Sequence, residues 1–153
     1  MIAVIQRVKN ASVSVDGEVK GRCGAGLMIL LGAKRGDMND DAVLLAEKIS
    51  KLRIFSDEAG KMNLSINDIH GEALVVSQFT LLANYRHGNR PDFFDAAAPE
   101  EANELYELFV SELKSRLDSE AVETGIFGAD MLVNIENDGP VTIVMESENL
   151  KKQ

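Results

Sequence analysis

The segment Gly26-Leu27-Met28-Ile29-Leu30-Leu31-Gly32 constrains the fold more than any other part of the chain. It is apolar throughout, short, and bounded by glycine at both ends, so it reads as a buried strand. Its neighbours supply more of the same. Met1 to Val8 carries β-branched residues at Ile2, Val4, Ile5 and Val8. Val13 and Val15 alternate with serines, and Asp16-Gly17 before the short run through Val19 is a strong hairpin signal. Further extended pieces fall around Met62 to Leu64, Glu72 to Phe79, Ala121 to Thr124, Met131 to Glu136 and Val141 to Glu146. Asn137-Asp138-Gly139-Pro140 predicts a turn between the last two.

Only two stretches have helical spacing. Asn39 to Arg53 places Ala42, Leu45, Ala46, Ile49 and Leu52 on one face, with Asp37 or Asn39 as the cap. Pro99 to about Leu117 begins with a proline followed by two glutamates, as first turns favour, and buries Ala102, Leu105, Leu108, Phe109 and Leu113. Strands outnumber helices and several are joined by tight turns, so the pattern predicts a mostly antiparallel α+β domain over residues 1–153, without repeats or linkers. The polar tail Asn149 to Gln153 is expected to fray.

An apolar fraction of 45% and a charged fraction of 27% suit a soluble globular protein. No apolar run approaches the roughly 18 residues that span a bilayer, and the amino-terminal residues alternate like a strand rather than running apolar like a signal peptide. No membrane association is expected. The single cysteine, Cys23, excludes an internal disulfide framework and a multi-cysteine metal site, and makes a cytoplasmic location the default. Sixteen basic against 25 acidic side chains leave a net charge of −9, which opposes extended contact with a polyanion. Any nucleic-acid contact must then be small and local, with Lys34, Arg35, Arg53, Arg86 and Arg90 as candidate cations.

The usual hydrolytic machinery is missing. There is no Gly-x-Ser-x-Gly elbow, no His-Glu-x-x-His and no phosphate loop. Nothing near Cys23 marks it as activated, and His70 and His87 each sit beside a turn glycine and read as surface histidines. No metal or cofactor is expected. Two features remain. The loop Leu82 to Ala98 is long for a compact domain, and loops of that length are often functional. Ser77-Gln78-Phe79-Thr80-Leu81 puts hydroxyl and amide groups at the end of an apolar strand, which is accounted for either by polar residues alternating to the solvent side or by a site.

Ser77-Gln78-Phe79-Thr80-Leu81 and Asn137-Asp138-Gly139-Pro140-Val141-Thr142 closely resemble the two motifs of the D-aminoacyl-tRNA deacylases. The likeness extends to Val4-Ile5-Gln6-Arg7-Val8, to Gly88-Asn89-Arg90-Pro91 and to Thr124 through Met131, in the same order and spacing. Asp92 stands where that family often has a small polar residue. The resemblance implies a homodimer whose antiparallel sheets form a small β-barrel-like core with flanking helices. It implies a cis Gly139-Pro140 peptide that reaches from one subunit into the other's site as a chiral gate, with Arg7 supporting it. Ser77, Gln78, Phe79 and Thr80 would be the catalytic segment, with backbone N–H groups near Phe79 as oxyanion donors, and Phe127 and Met131 would seat the terminal adenine. The implied partners are D-aminoacyl-tRNA and glycyl-tRNA, held at the 3′ acceptor end. A related deacylase for a misattached L-amino acid, a non-catalytic dimeric binding domain and a general esterase are the alternatives.

Overall fold

The computed structural model describes residues 1–152. Its strands are β1 (Ile2–Val15), β2 (Glu18–Cys23), β3 (Gly26–Gly32), β4 (Phe55–Ser56), β5 (Met62–Leu64), β6 (Glu72–Ser77), β7 (Val122–Thr124) and β8 (Leu132–Glu146). Its helices are α1 (Asn39–Lys51) and α2 (Pro99–Arg116). None is long and apolar enough to cross a membrane.

The principal sheet runs in the order β2-β1-β3-β6-β7, with β8 also paired to β1. Strand β1 pairs antiparallel with β2, β3 and β8. The β3–β6 and β6–β7 pairs are parallel. Parallel neighbours need a crossover, and α1 lies in the connection between β3 and β6 as α2 does between β6 and β7. The expected α+β class with a barrel-like sheet and flanking helices therefore holds, with a parallel part that the sequence pattern did not announce. The barrel nearly closes where β2 meets β7. The Arg22 N–H donates to Glu123 Oε1 at 3.1 Å, and a Cβ on Gly21 would collide with the Thr124 carbonyl, so glycine permits that approach.

Each face of the sheet has its own core. One packs Ala3, Ile5, Leu27, Ile29 and Leu31 against Leu45, Ile49, Leu105, Phe109 and Leu113 of the helices. The other, inside the curl, gathers Val8, Ala11, Val13, Cys23, Met28, Leu74 and Val76. That division explains why β3 is apolar at every position: it is covered on both sides.

Four local expectations change. Ile2–Val15 form one continuous strand rather than two, because its two halves find different partners along one edge while β8 follows the other. The predicted turn at Asn137 to Pro140 does not separate two strands. Both halves of β8 pair with β1, and the register jumps from Thr142 opposite Gln6 to Asn137 opposite Val8. Asp138 through Val141 therefore bulge out opposite Arg7, a position that tolerates a proline without an N–H. Helix α1 is capped from Met38, whose N–H donates to Asp41 at 2.7 Å, while Asp37 instead accepts from the Lys34 N–H at 2.6 Å. The tail docks rather than frays: Ser147–Leu150 form a 3₁₀ turn and Lys151 pairs with Asp41 at 2.9 Å. Gln153 lies outside the described residues.

Candidate active site

The carboxyl ends of β3, β6 and β7 point the same way, the arrangement at which open α/β sheets gather their sites. A pocket of about 740 Å³ opens there. Leu31 to Ala33 follow from β3, Val76 to Phe79 from β6, and Phe127 to Met131 from the segment after β7. The loop before α2 and the first turns of that helix complete the wall.

Ser77 ends β6 opposite Leu31, and the Gln78 N–H donates to the Leu31 carbonyl at 2.8 Å. The chain then tightens into a 3₁₀ turn at Phe79–Leu82. Sequence alone carries the strand to Phe79; the turn begins there instead, which lifts Phe79 and Thr80 out of the sheet. Within the described residues the Phe79 N–H has no hydrogen-bond acceptor, as befits the first amide of such a turn. Its ring meets Phe93 edge to face, with centroids 5.1 Å apart. Thr80 is exposed and does not line the pocket, and its hydroxyl accepts a hydrogen bond from the Gln78 amide.

Phe127 and Met131 are half-buried on the opposite wall. Behind Phe127 lies Tyr106 of α2, ring centroids 5.9 Å apart, and the Tyr106 hydroxyl donates to the Val75 carbonyl at 2.8 Å. Burial pushes this phenol up to about 12, so it remains a neutral donor. Helical spacing marks its neighbours Leu105 and Phe109 as core, but a tyrosine needing a carbonyl at its tip is found only when β6 is brought alongside. Arg35 and Phe93 were likewise invisible as pocket residues, since both depend on how the long loop folds back.

Ser77, Gln78, Phe79, Phe127 and Met131 thus share one pocket. Gly139, Pro140 and Arg7 do not line it. They form a second feature, an exposed bend projecting from β8. The Gly139-Pro140 peptide is cis, and Gly139 has φ +127. Beneath it the Arg7 guanidinium donates to the Asp138 carbonyl at 3.0 Å and to the Ile54 carbonyl at 2.8 Å. The Asp138 carboxylate stands 3.7 Å away as a weak ion pair. Cys23 is buried, with its Sγ 3.9 Å from the Leu27 carbonyl, and burial pushes the thiol up to about 11; it is no nucleophile near neutral pH.

Comparison with known proteins points one way. The family model described as D-Tyr-tRNA(Tyr) deacylase matches residues 4–146. A D-aminoacyl-tRNA deacylase of Dictyoglomus turgidum is 57% identical over 152 residues, covering 99% of this chain and 96% of the relative. One from Anaeromyxobacter dehalogenans is 55% identical over 150 residues, covering 98% and 99%. Among solved structures, a c-Myc DNA unwinding element binding protein superposes with a TM-score of 0.90 at 44% identity, covering 95% of this chain and 98% of that one. A probable eukaryotic D-amino acid tRNA deacylase, 16% identical, shares the fold with a TM-score of 0.81 over 95% of this chain and 98% of its own. Matched by that family model and by full-length relatives at more than half identity, the chain belongs to the D-Tyr-tRNA(Tyr) deacylase family.

Proposed function

We propose that this protein hydrolyses the ester linking a D-amino acid to the 3′ end of tRNA, and that it removes glycine by the same reaction. The observation that carries the reading is the separation of two features inside one protomer. The pocket holds Ser77 to Phe79 on one wall and the apolar pair Phe127 and Met131 on another, while the exposed Gly139-Pro140 bend contributes nothing to its lining. Such a division suits a homodimer in which each bend closes the other copy's pocket. Strand β8 supports it, being paired among the described residues with β1 alone and exposing Leu132, Ile135 and Val144.

In this reading the terminal adenine sits against Phe127 and Met131, and the ester carbonyl faces the Phe79 N–H. Water attacks that carbon, and the bond from it to the ribose 3′-oxygen breaks. The proton lost by the water passes through the neighbouring 2′-hydroxyl to that leaving oxygen, giving free amino acid and tRNA. One well-aimed amide donor is worth about 2.7–4 kcal/mol of barrier, and an aminoacyl ester is already activated. Thr80 is a poor nucleophile here: its hydroxyl is engaged by an amide donor, and no hydrogen bond among the described residues offers it a base. Selection works by collision. A main-chain wall excludes the L side chain, leaves any D side chain free, and does not stop glycine. The soluble fold and the family's substrate fit a cytoplasmic site of action. Arg86, Arg90 and Lys34 would meet a few acceptor-end phosphates, giving only a shallow loss of binding with salt.

The deciding experiment is release of amino acid from matched D-, L- and glycyl-tRNAs by purified protein. Turnover of the D and glycyl esters with the L ester spared is expected. Equal cleavage of both enantiomers, or fully resistant glycyl-tRNA, would sink the gate.

A further inference from the structure

Only three of the chain's eight aromatic rings are strongly exposed, Phe79 at 57%, Tyr85 at 76% and Phe94 at 74%, and all three lie in one stretch beside the pocket. The remaining five are buried or half-buried. We propose that Tyr85 and Phe94 form a stacking platform for the unpaired nucleotides that precede the terminal adenosine of the RNA substrate. This rests on the reading above, and extends it from the reacting ester to the strand that carries it.

The loop bearing these rings is shaped and anchored. Asn84 and Asp92 exchange two backbone hydrogen bonds, at 2.8 and 2.9 Å, closing residues 84–92 into a loop. The Asn84 side chain accepts from the Arg86 N–H at 3.1 Å, and Asp92 accepts from the Phe94 N–H at 3.3 Å, so both polar side chains at the neck are spent on holding its backbone. Tyr85 follows one side of the neck and Phe94 the other. The loop is also tied to the pocket. Phe93 lines it and meets the Phe79 ring, while Arg35, another lining residue, donates from Nε to the Phe94 carbonyl.

Charge favours a nucleic-acid occupant over a second protein surface. Residues 84–90, Asn-Tyr-Arg-His-Gly-Asn-Arg, contain two arginines and no acid in a chain of net charge −9. Around Phe94 the acids Asp92 and Asp95 are matched by Lys34 and Arg35, whose backbones pair with the same segment. Exposed aromatics interleaved with cations, continuous with a pocket that takes the last nucleotide, are what a single strand needs. Bases stack on rings without regard to sequence while the cations track phosphates. Such a platform gives the protein a grip on the strand that needs no basic groove, in keeping with its acidic surface.

The test is kinetic, with Tyr85→Ala, Phe94→Ala and the double variant on D-aminoacyl-tRNA and on a 3′-O-D-aminoacyl adenosine. Base stacking on one ring predicts a rise in KM for the tRNA of roughly tenfold per ring. The value of kcat should stay unchanged, as should turnover of the adenosine ester. Tyr85→Phe, which keeps the ring, should behave as wild type. A fall in kcat, an unchanged KM for tRNA, or equal losses on both substrates would overturn the platform. So would a change in sedimentation of the variants, which would make the rings a contact between copies. Failure of the wild type to cleave D-aminoacyl-tRNA would instead sink the functional reading itself, so the two failures are distinguishable.

Discussion

The pocket and the Gly139-Pro140 bend are built on opposite principles. The pocket is a by-product of regular structure: three parallel strands end together, and its walls come from several elements, each held by its own ladder and core. The bend is a departure from regular structure, residues 138–141 displaced from a strand that otherwise pairs along its length. One half-buried side chain, Arg7, spans the gap between that bend and the Ile54 carbonyl. The distributed structure should absorb single substitutions, whereas the bend depends on one guanidinium and one glycine.

Arg7→Ala is the severest way to test this asymmetry. It leaves the Asp138 and Ile54 carbonyls without their donor in a part-buried place. Two charge-assisted hydrogen bonds predict a loss of about 4 kcal/mol, readable in urea denaturation. Arg7→Lys should recover less than half of it, because one ammonium cannot present the guanidinium fork to two carbonyls. A loss under 1 kcal/mol would show that the bend holds itself. Gly139→Ala comes next. Its φ of +127 lies in territory that L side chains rarely adopt, and the added Cβ would come within 3.0 Å of Arg7 Nη2 and 3.1 Å of the Val141 nitrogen. Strain of that kind costs about 2 kcal/mol. Under the proposed gate, both variants should lose discrimination between D- and L-aminoacyl-tRNA before losing turnover.

The far end of β8 is held by charge, which makes it sensitive to acid. Ser147, just past the strand, donates from its hydroxyl to Asp41 at 2.6 Å and from its N–H to the Met1 carbonyl at 2.9 Å, and Met1 lines the pocket. Burial works against the Asp41 carboxylate. The Met38 N–H, the Ser147 hydroxyl and the Lys151 ammonium outweigh that penalty and hold it at about 2, below its ordinary 3.8. A depressed carboxyl contributes stability that is complete above its unfolded value and lost as pH falls through the folded one. The window is therefore about pH 4 down to about 2, and the contribution about 2 kcal/mol. Thermal unfolding midpoints should drop across that window in the wild type. Asp41→Asn should start lower and drop less, and parallel curves for the two proteins would remove Asp41 from the acid response.

How far each region could be read from sequence follows the same division. The apolar run at β3, the helical faces of α1 and α2 and the Asp16-Gly17 hairpin are local patterns, and they appear where expected; Asp16 and Gly17 both take positive φ, 51 and 78, as that tight turn requires. Parallel pairing of β3, β6 and β7 left no local trace, because both orientations bury the same apolar residues. Asn137-Asp138-Gly139-Pro140 has the composition of a hairpin turn, and only the length of β1, able to pair with residues on both sides of it, makes it a bulge. Ser77 to Phe79 and Phe127 to Met131 became legible as one pocket through resemblance. Tyr106 and Arg35 did not, because each acts through a partner distant in sequence.

Tyr106 offers the mildest test, and the one most specific to the pocket. Its hydroxyl donates to the Val75 carbonyl, and that same carbonyl also accepts from the Gly125 N–H at 3.3 Å. Removing the hydroxyl therefore leaves no orphaned acceptor on β6, and the ring, packed against Phe127, is retained. Tyr106→Phe should cost about 1 kcal/mol or less, the net worth of one neutral hydrogen bond. Deacylation should change by less than a factor of about three, since 1 kcal/mol bounds the effect and most of it falls on folding. With the phenol held up at about 12 by burial, its ionisation should leave no limb in the pH–rate profile below that value. Tyr106→Ala goes further, because it removes the ring behind Phe127 and should raise KM while leaving the D-over-L preference intact. If the conservative phenylalanine variant instead lost activity as heavily as Arg7→Ala, the pocket would hang on a single contact too, and the contrast between a distributed wall and a singly braced bend would not stand.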